Sequence, residues 1–133
     1  PMPFTYRVDP AHQIGLVAWR GRVSGEQIIE AMDALFGDPA WQPGFRHCWD
    51  GRAISELVLD LPETGAIVKH LREMAGQMGK GRAATVNPAE IHWLAARTLI
   101  VMSRLGLPEA KVCTTLNEAA AWLEVPVEVL MGT

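Results

Sequence analysis

Residues 14–35 read IGLVAWRGRVSGEQIIEAMDAL, and the change of pattern at Ser24 decides how the chain is built. From Ile14 to Val23 the stretch is rich in β-forming aliphatic and aromatic side chains, the composition of a strand. After Ser24 the apolar positions fall at Ile28, Met32 and Leu35, a spacing that places them on one stripe of a helix. Ser24 and Gln27 have the spacing of a capping box, in which each side chain satisfies an orphan backbone N–H of the other residue. Gly37 and Pro39 stop the helix. A strand therefore passes directly into a helix.

The same alternation extends in both directions. Upstream, Phe4, Tyr6 and Val8 alternate with polar residues as a strand that ends at Asp9-Pro10; the short connection makes it antiparallel to the Ile14–Val23 strand. Downstream, Pro43-Gly44 leads into a third strand, Phe45 to Ile54. Asp60 and Glu63 form a second capping box, heading a helix striped by Ile67, Leu71, Met74 and Met78 and closed by Gly79. Arg82 to Val86 is a short strand. Asn87, Pro88 and Glu90 start another helix, with an N-cap, a proline in the first turn and an acidic residue facing the helix dipole. Its stripe is Ile91, Leu94, Thr98, Met102 and Leu105, and Gly106 ends it. Ala110 to Cys113 is a strand. Thr115 and Glu118 cap a helix that turns Leu116, Ala119, Ala120 and Leu123 inward, and Pro126 to Met131 makes a last helical turn.

The order is ββαβαβαβα, an α/β fold with a mixed, mostly parallel sheet and helices packed on it through right-handed crossovers. With 133 residues, the chain reads as one domain, 1–133, able to bury a core without a metal or disulfide. A net charge of −3 argues against a nucleic-acid partner, which calls for a basic patch. The start, PMPFTYRVDP, lacks the basic and apolar regions of a signal peptide. The longest aliphatic run, Leu99 to Met102, is too short for a transmembrane segment. The expectation is a cytoplasmic protein with Cys48 and Cys113 as free thiols.

Three pieces of sequence carry a family resemblance: YRVDP at the first strand, GRVSGEQ from strand to helix, and DPAWQPGFRHCWDGR running into the third strand. With the element order, they make the chain resemble the STAS domain, the fold of bacterial anti-sigma factor antagonists, and more closely the stand-alone bacterial SpoIIAA-like proteins. The resemblance implies a non-enzymatic regulatory or protein-interaction module with an unknown protein partner. In the family's antagonists a serine at the start of the helix after the third strand, in an Asp-Ser-Ser-Gly-like motif, is phosphorylated. Here that region reads LVLDLPETG; Asp60 and Gly65 stand at the motif's ends, the serine pair is missing, and Thr64 is the nearest hydroxyl. SpoIIAA-like proteins also resemble the CRAL-TRIO lipid-binding fold, which implies an alternative: a carrier or sensor of a small apolar ligand or lipid bound between sheet and helices. Met74, Met78 and Met102 would suit such a lining.

The run FRHCWDGR, residues 45–52, concentrates reactive side chains. On a strand His47 and Trp49 share one face, and Cys48 and Asp50 share the other. His47 therefore cannot activate Cys48, and both become core candidates. Asp50 is expected near the carboxyl end of a parallel strand, where open α/β sheets bind ligands, with Gly51 and Arg52 leaving the sheet; the plainer reading is a turn aspartate. Ser55 and Thr64 lie on the loop and helix start that follow, where a phosphate would meet free N–H groups, although ordinary first-turn chemistry explains them too. Trp41, in the loop DPAWQPG, could anchor a partner or close the core.

The candidate partner- or ligand-binding residues are thus Asp50, Arg52, Ser55, Thr64 and Trp41, with Ser55 and Thr64 as possible phosphorylation sites. No catalytic pair, cofactor motif or metal-ligand spacing emerges: His12, His47, His70 and His92 do not pair, and GQMGKGR (76–82) lacks the spacing of a phosphate loop. A homodimer through a sheet edge is a further expectation.

Overall fold

The computed structural model describes residues 3–91, 96, 100, 103–104 and 109–131. Strands β1 (Phe4–Asp9), β2 (Ile14–Ser24), β3 (Arg46–Val58), β4 (Ala83–Val86) and β5 (Ala110–Cys113) form one sheet in the order β1-β2-β3-β4-β5. β1 and β2 are antiparallel, and every later pair is parallel. The described helices are α1 (Gly25–Phe36), α2 (Leu61–Glu73), α3 (Ala75–Met78), α4 (Leu116–Leu123) and α5 (Val127–Leu130), with a 3-10 turn at Ala89–Ile91. This is the expected mixed α/β architecture. The helix expected after Asn87 opens as that 3-10 turn, and Ala96, Ile100, Ser103 and Arg104 are helical. Its stripe positions Leu94, Thr98, Met102 and Leu105, with His92, Trp93 and Gly106, lie outside the described residues.

The caps form as their spacing dictates. Gln27 N–H donates to Ser24 Oγ at 3.3 Å while Ser24 N–H donates to the Gln27 side chain at 2.8 Å. At α2, Glu63 N–H donates to Asp60 Oδ1 at 2.7 Å. Thr115 Oγ1 receives Glu118 N–H at 3.1 Å at the start of α4. Each cap contributes about 1 kcal/mol. The last carbonyls of α4 are met by Arg46, whose guanidinium donates to Leu123 O and Glu124 O. This ties the end of the helix to the first residue of β3.

Parallel strands laid down in sequential order send each right-handed crossover to the same side. α1 and α2 accordingly cover one face of the sheet, and α4, which follows the last strand, covers the other. Side-chain alternation feeds both layers. Val17, Trp19 and Val23 pack with Leu35, Phe36, Ile67 and Leu71. Ile14, Leu16, Cys48, Ala84 and Val86 pack with Leu116, Leu123 and Leu130.

Two expectations need correction. β3 does not leave the sheet at Asp50–Arg52; it runs on to Val58. β4 ends at Val86, opposite Asp50, but β2 is long enough to supply a backbone partner beyond that point. Ala53 pairs with Arg20 and Glu56 with Arg22, across two shifts of register. Such shifts are the mark of β-bulges, where residues drop out of the ladder and the arm bends and twists before pairing resumes. The second correction concerns the helix expected to run unbroken to Gly79. It breaks at Met74 (φ −92°, ψ 1°) into α2 and α3, and the stripe survives the break because Met74 and Met78 both stay buried.

Candidate functional site

The parallel register of β3 and β4 sets the floor of the site. His47 lies beside Ala83, and Trp49 lies beside Thr85; alternation turns all four toward the face covered by α1 and α2. Between this floor and the helices lies a cavity of ≈190 Å³. Its walls include Trp19 and Val23 from β2, Trp49, Ile54 and Leu57 from β3, Ile28, Met32 and Phe36 from α1, Ile67 and Leu71 from α2, and Met78. Thr85, Asn87, Ile91 and Ala110 complete the lining toward β4 and β5.

Into this apolar space the sequence places polar groups that have no partners among the described residues. The Trp49 indole Nε1 donates to His47 Nδ1 at 2.8 Å. An indole N–H can only donate, so Nδ1 carries the lone pair and the proton of the neutral ring sits on Nε2. His47 is 2% exposed, and burial lowers its pKa to about 4, leaving the ring uncharged at neutral pH. Phe36, Trp41 and Trp49 stand edge-on around it, with ring centroids 5.5, 6.0 and 5.9 Å away. His47 Nε2 has no partner among the described residues, nor have Thr85 Oγ1 and Asn87 Nδ2. All three residues line the cavity, and among the described residues the one other buried side-chain atom in this condition is Arg7 Nε. An orphaned buried polar group costs about 1–3 kcal/mol, so their concentration in one cavity calls for a reason.

Gly51 makes room for the polar edge. A Cβ at that position would lie 2.7 Å from Asn87 Oδ1 and 3.0 Å from Ile54 Cδ1. A side chain there would push the ends of the Asn87 and Ile54 side chains away from their present positions.

The residues singled out from sequence are not brought together. Asp50 and Arg52 sit on the opposite face, where the guanidinium meets both carboxylate oxygens at 3.0 and 2.9 Å. They border an open depression with Ala18, Ala53, Leu116, Leu130 and Met131. Ser55 is exposed on the β3 arm. Thr64 lies on α2, against the first face, and its hydroxyl donates to Asp60 O at 2.8 Å. Trp41 is not a surface anchor: it is 7% exposed, packs edge-on against Phe36 and Phe45, and donates its indole N–H to Gln77 O at 2.8 Å. The Pro/Gly loop that carries it folds inward because that aromatic surface completes the core.

His47 and Cys48 point to opposite layers, as the alternation requires. Burial pushes the Cys48 thiol up to about 12 and raises that of Cys113. Among the described residues no group of three His, Cys, Asp or Glu side chains could hold a metal, and no helix is long and apolar enough to cross a membrane. Sequence reasoning passed over Thr85 and Asn87, which read as an ordinary strand position and an N-cap. It also took His47 only as core. The available signal was the His-x-Trp spacing, which puts a donor and an acceptor on one face of a strand.

No family model and no curated protein matches the sequence. The fold is matched by the crystal structure of an uncharacterized protein of the DUF3478 family from Shewanella loihica PV-4, which has a SpoIIAA-like fold. The match covers 90% of this chain and 93% of that one, with a TM-score of 0.58 and 15% sequence identity. At that identity the likeness speaks for architecture alone, and the chain has a SpoIIAA-like fold.

Proposed function

We propose that this protein binds a small, largely apolar molecule between the sheet and α1/α2, as a carrier or sensor. The observation that carries the reading is the ≈190 Å³ cavity walled by aromatic, aliphatic and methionine side chains. A cavity of about 150 Å³ in an apolar core admits a molecule the size of benzene, so a single substituted ring or a short branched chain fits here. Met32 and Met78 give the wall an adaptable surface. The expected interaction module around Asp50, Arg52, Ser55 and Thr64 receives less support. Asp50 and Arg52 neutralise each other, and the α2 N-terminus already holds the carboxylates of Asp60 and Glu63 where a phosphate would bind.

Native mass spectrometry of freshly purified protein, followed by thermal shift with monocyclic aromatics, tests the reading. A bound molecule in 100-fold excess over its Kd stabilises by about 2.7 kcal/mol, which raises Tm by several degrees. Ala83→Leu, which extends a buried side chain into the cavity, is expected to abolish that shift while the protein remains folded. If no small molecule co-purifies and no compound moves the wild-type Tm, the reading fails.

A further inference from the structure

We infer that the cavity selects a neutral molecule bearing a hydrogen-bond acceptor of the carbonyl type, held at a polar wall formed by His47, Thr85 and Asn87. This deepens the proposed ligand-binding reading and rests on it. The reason lies in the sign of the unpartnered groups. Trp49 Nε1 occupies His47 Nδ1 at 2.8 Å, so the ring presents a donor, Nε2–H, and no free lone pair. Asn87 Nδ2 is a donor as well, and the Thr85 hydroxyl can donate to an acceptor. A ligand that offered only donors would leave two of the three unsatisfied; one that offers an acceptor meets any of them.

The three groups belong to one patch of the sheet. Thr85 is two residues beyond Ala83, the neighbour of His47, and Asn87 is two beyond Thr85. Strand spacing puts Thr85 roughly 6–8 Å from each of the other two, backbone to backbone. Among the described residues the rest of the lining is apolar and holds no lysine, arginine, aspartate or glutamate. A carboxylate would lose its hydration there and find no cation to replace it, whereas a ketone, ester or amide carbonyl loses little and gains a partner. The tautomer thus acts as the selector: the Trp49 N–H, engaged with Nδ1, decides that His47 offers Nε2–H to the ligand.

The test compares three probes of nearly equal shape by calorimetry: acetophenone, ethylbenzene and benzoate. Acetophenone is expected to bind at least tenfold more tightly than ethylbenzene, and benzoate more weakly than either. Long-range 15N NMR of the wild-type histidines is expected to show the Nε2–H tautomer at His47, with that nitrogen shifting on addition of acetophenone and not of ethylbenzene. Thr85→Val, which keeps the shape and removes the hydroxyl, and His47→Phe are each expected to narrow the ratio of acetophenone to ethylbenzene affinity at least threefold. Should His47→Phe fail to fold, the wild-type spectra and Thr85→Val still decide the matter. Equal affinity for ketone and hydrocarbon would overturn the acceptor inference and leave an apolar binding cavity in place. Tighter benzoate binding would overturn its neutrality, and no binding of any probe would remove the cavity reading along with it.

Discussion

At His47 a neighbouring side chain decides where a proton sits. The Trp49 indole, two residues along the same face of β3, holds Nδ1 as an acceptor, and burial keeps the ring neutral. Trp49→Phe removes the donor and leaves a buried lone pair unmet, so a loss of about 1–3 kcal/mol is expected in urea unfolding. The adjacent Cys48 shows the opposite face of the same alternation. Its thiol, 1% exposed and pushed up to about 12, holds little thiolate at neutral pH. Native protein is expected to leave both cysteines unreacted with a disulfide reagent over minutes, and to release two equivalents once denatured. The opposition of His47 and Cys48 was legible in the letters, because a strand has period two. That Trp41 turns inward was not: a tryptophan between prolines reads as readily as an anchor, and only the space beside Phe36 and Phe45 decides.

At the scale of elements, Glu63 links two helices. One carboxylate oxygen receives Asp60 N–H at 3.4 Å and closes its own capping box; the other receives Gly25 N–H at 3.1 Å, in the first turn of α1. The spacing predicted the first bond and could not show the second, which joins residues 38 positions apart. Glu63→Ala is expected to cost about 1–2 kcal/mol, and Glu63→Gln less, since one acceptor oxygen remains. β3 teaches the converse. Asp50-Gly51-Arg52 looks like an exit from a sheet and places the end of the strand at Ile54, yet β2 continues beside it and pairing resumes after each of two register shifts. Within that arm Gly51→Ala would set a methyl against Asn87 Oδ1 and Ile54 Cδ1. A loss of about 1–3 kcal/mol by chemical denaturation, typical of overpacking, is expected.

At the scale of the molecule, stability depends on keeping His47 neutral. Its folded pKa, about 4, lies below the ordinary value of 6.5, so the unfolded chain binds the extra proton between these values. The contribution is complete above pH 6.5 and is lost as pH falls toward 4. The difference corresponds to about 3 kcal/mol, and urea midpoints across that window are expected to fall accordingly in wild type and much less in His47→Phe. A further decline belongs at lower pH, where Asp9, held below its usual range by its hydrogen bond to His12, takes up a proton. Ligand binding should act in the same direction as neutral pH, because both favour the uncharged ring.

The order of strands and helices, the capping boxes and the division of β3 between two core layers followed from the sequence alone. Each is set by residues within a few positions of one another, through backbone geometry and periodicity. The cavity, the unpartnered donors along its floor and the separation of Asp50 and Arg52 from Thr64 belonged to the tertiary structure. They depend on which strand lies beside which and on where two helices fail to fill the space over them. Packing between distant segments makes those decisions, and no local pattern records it.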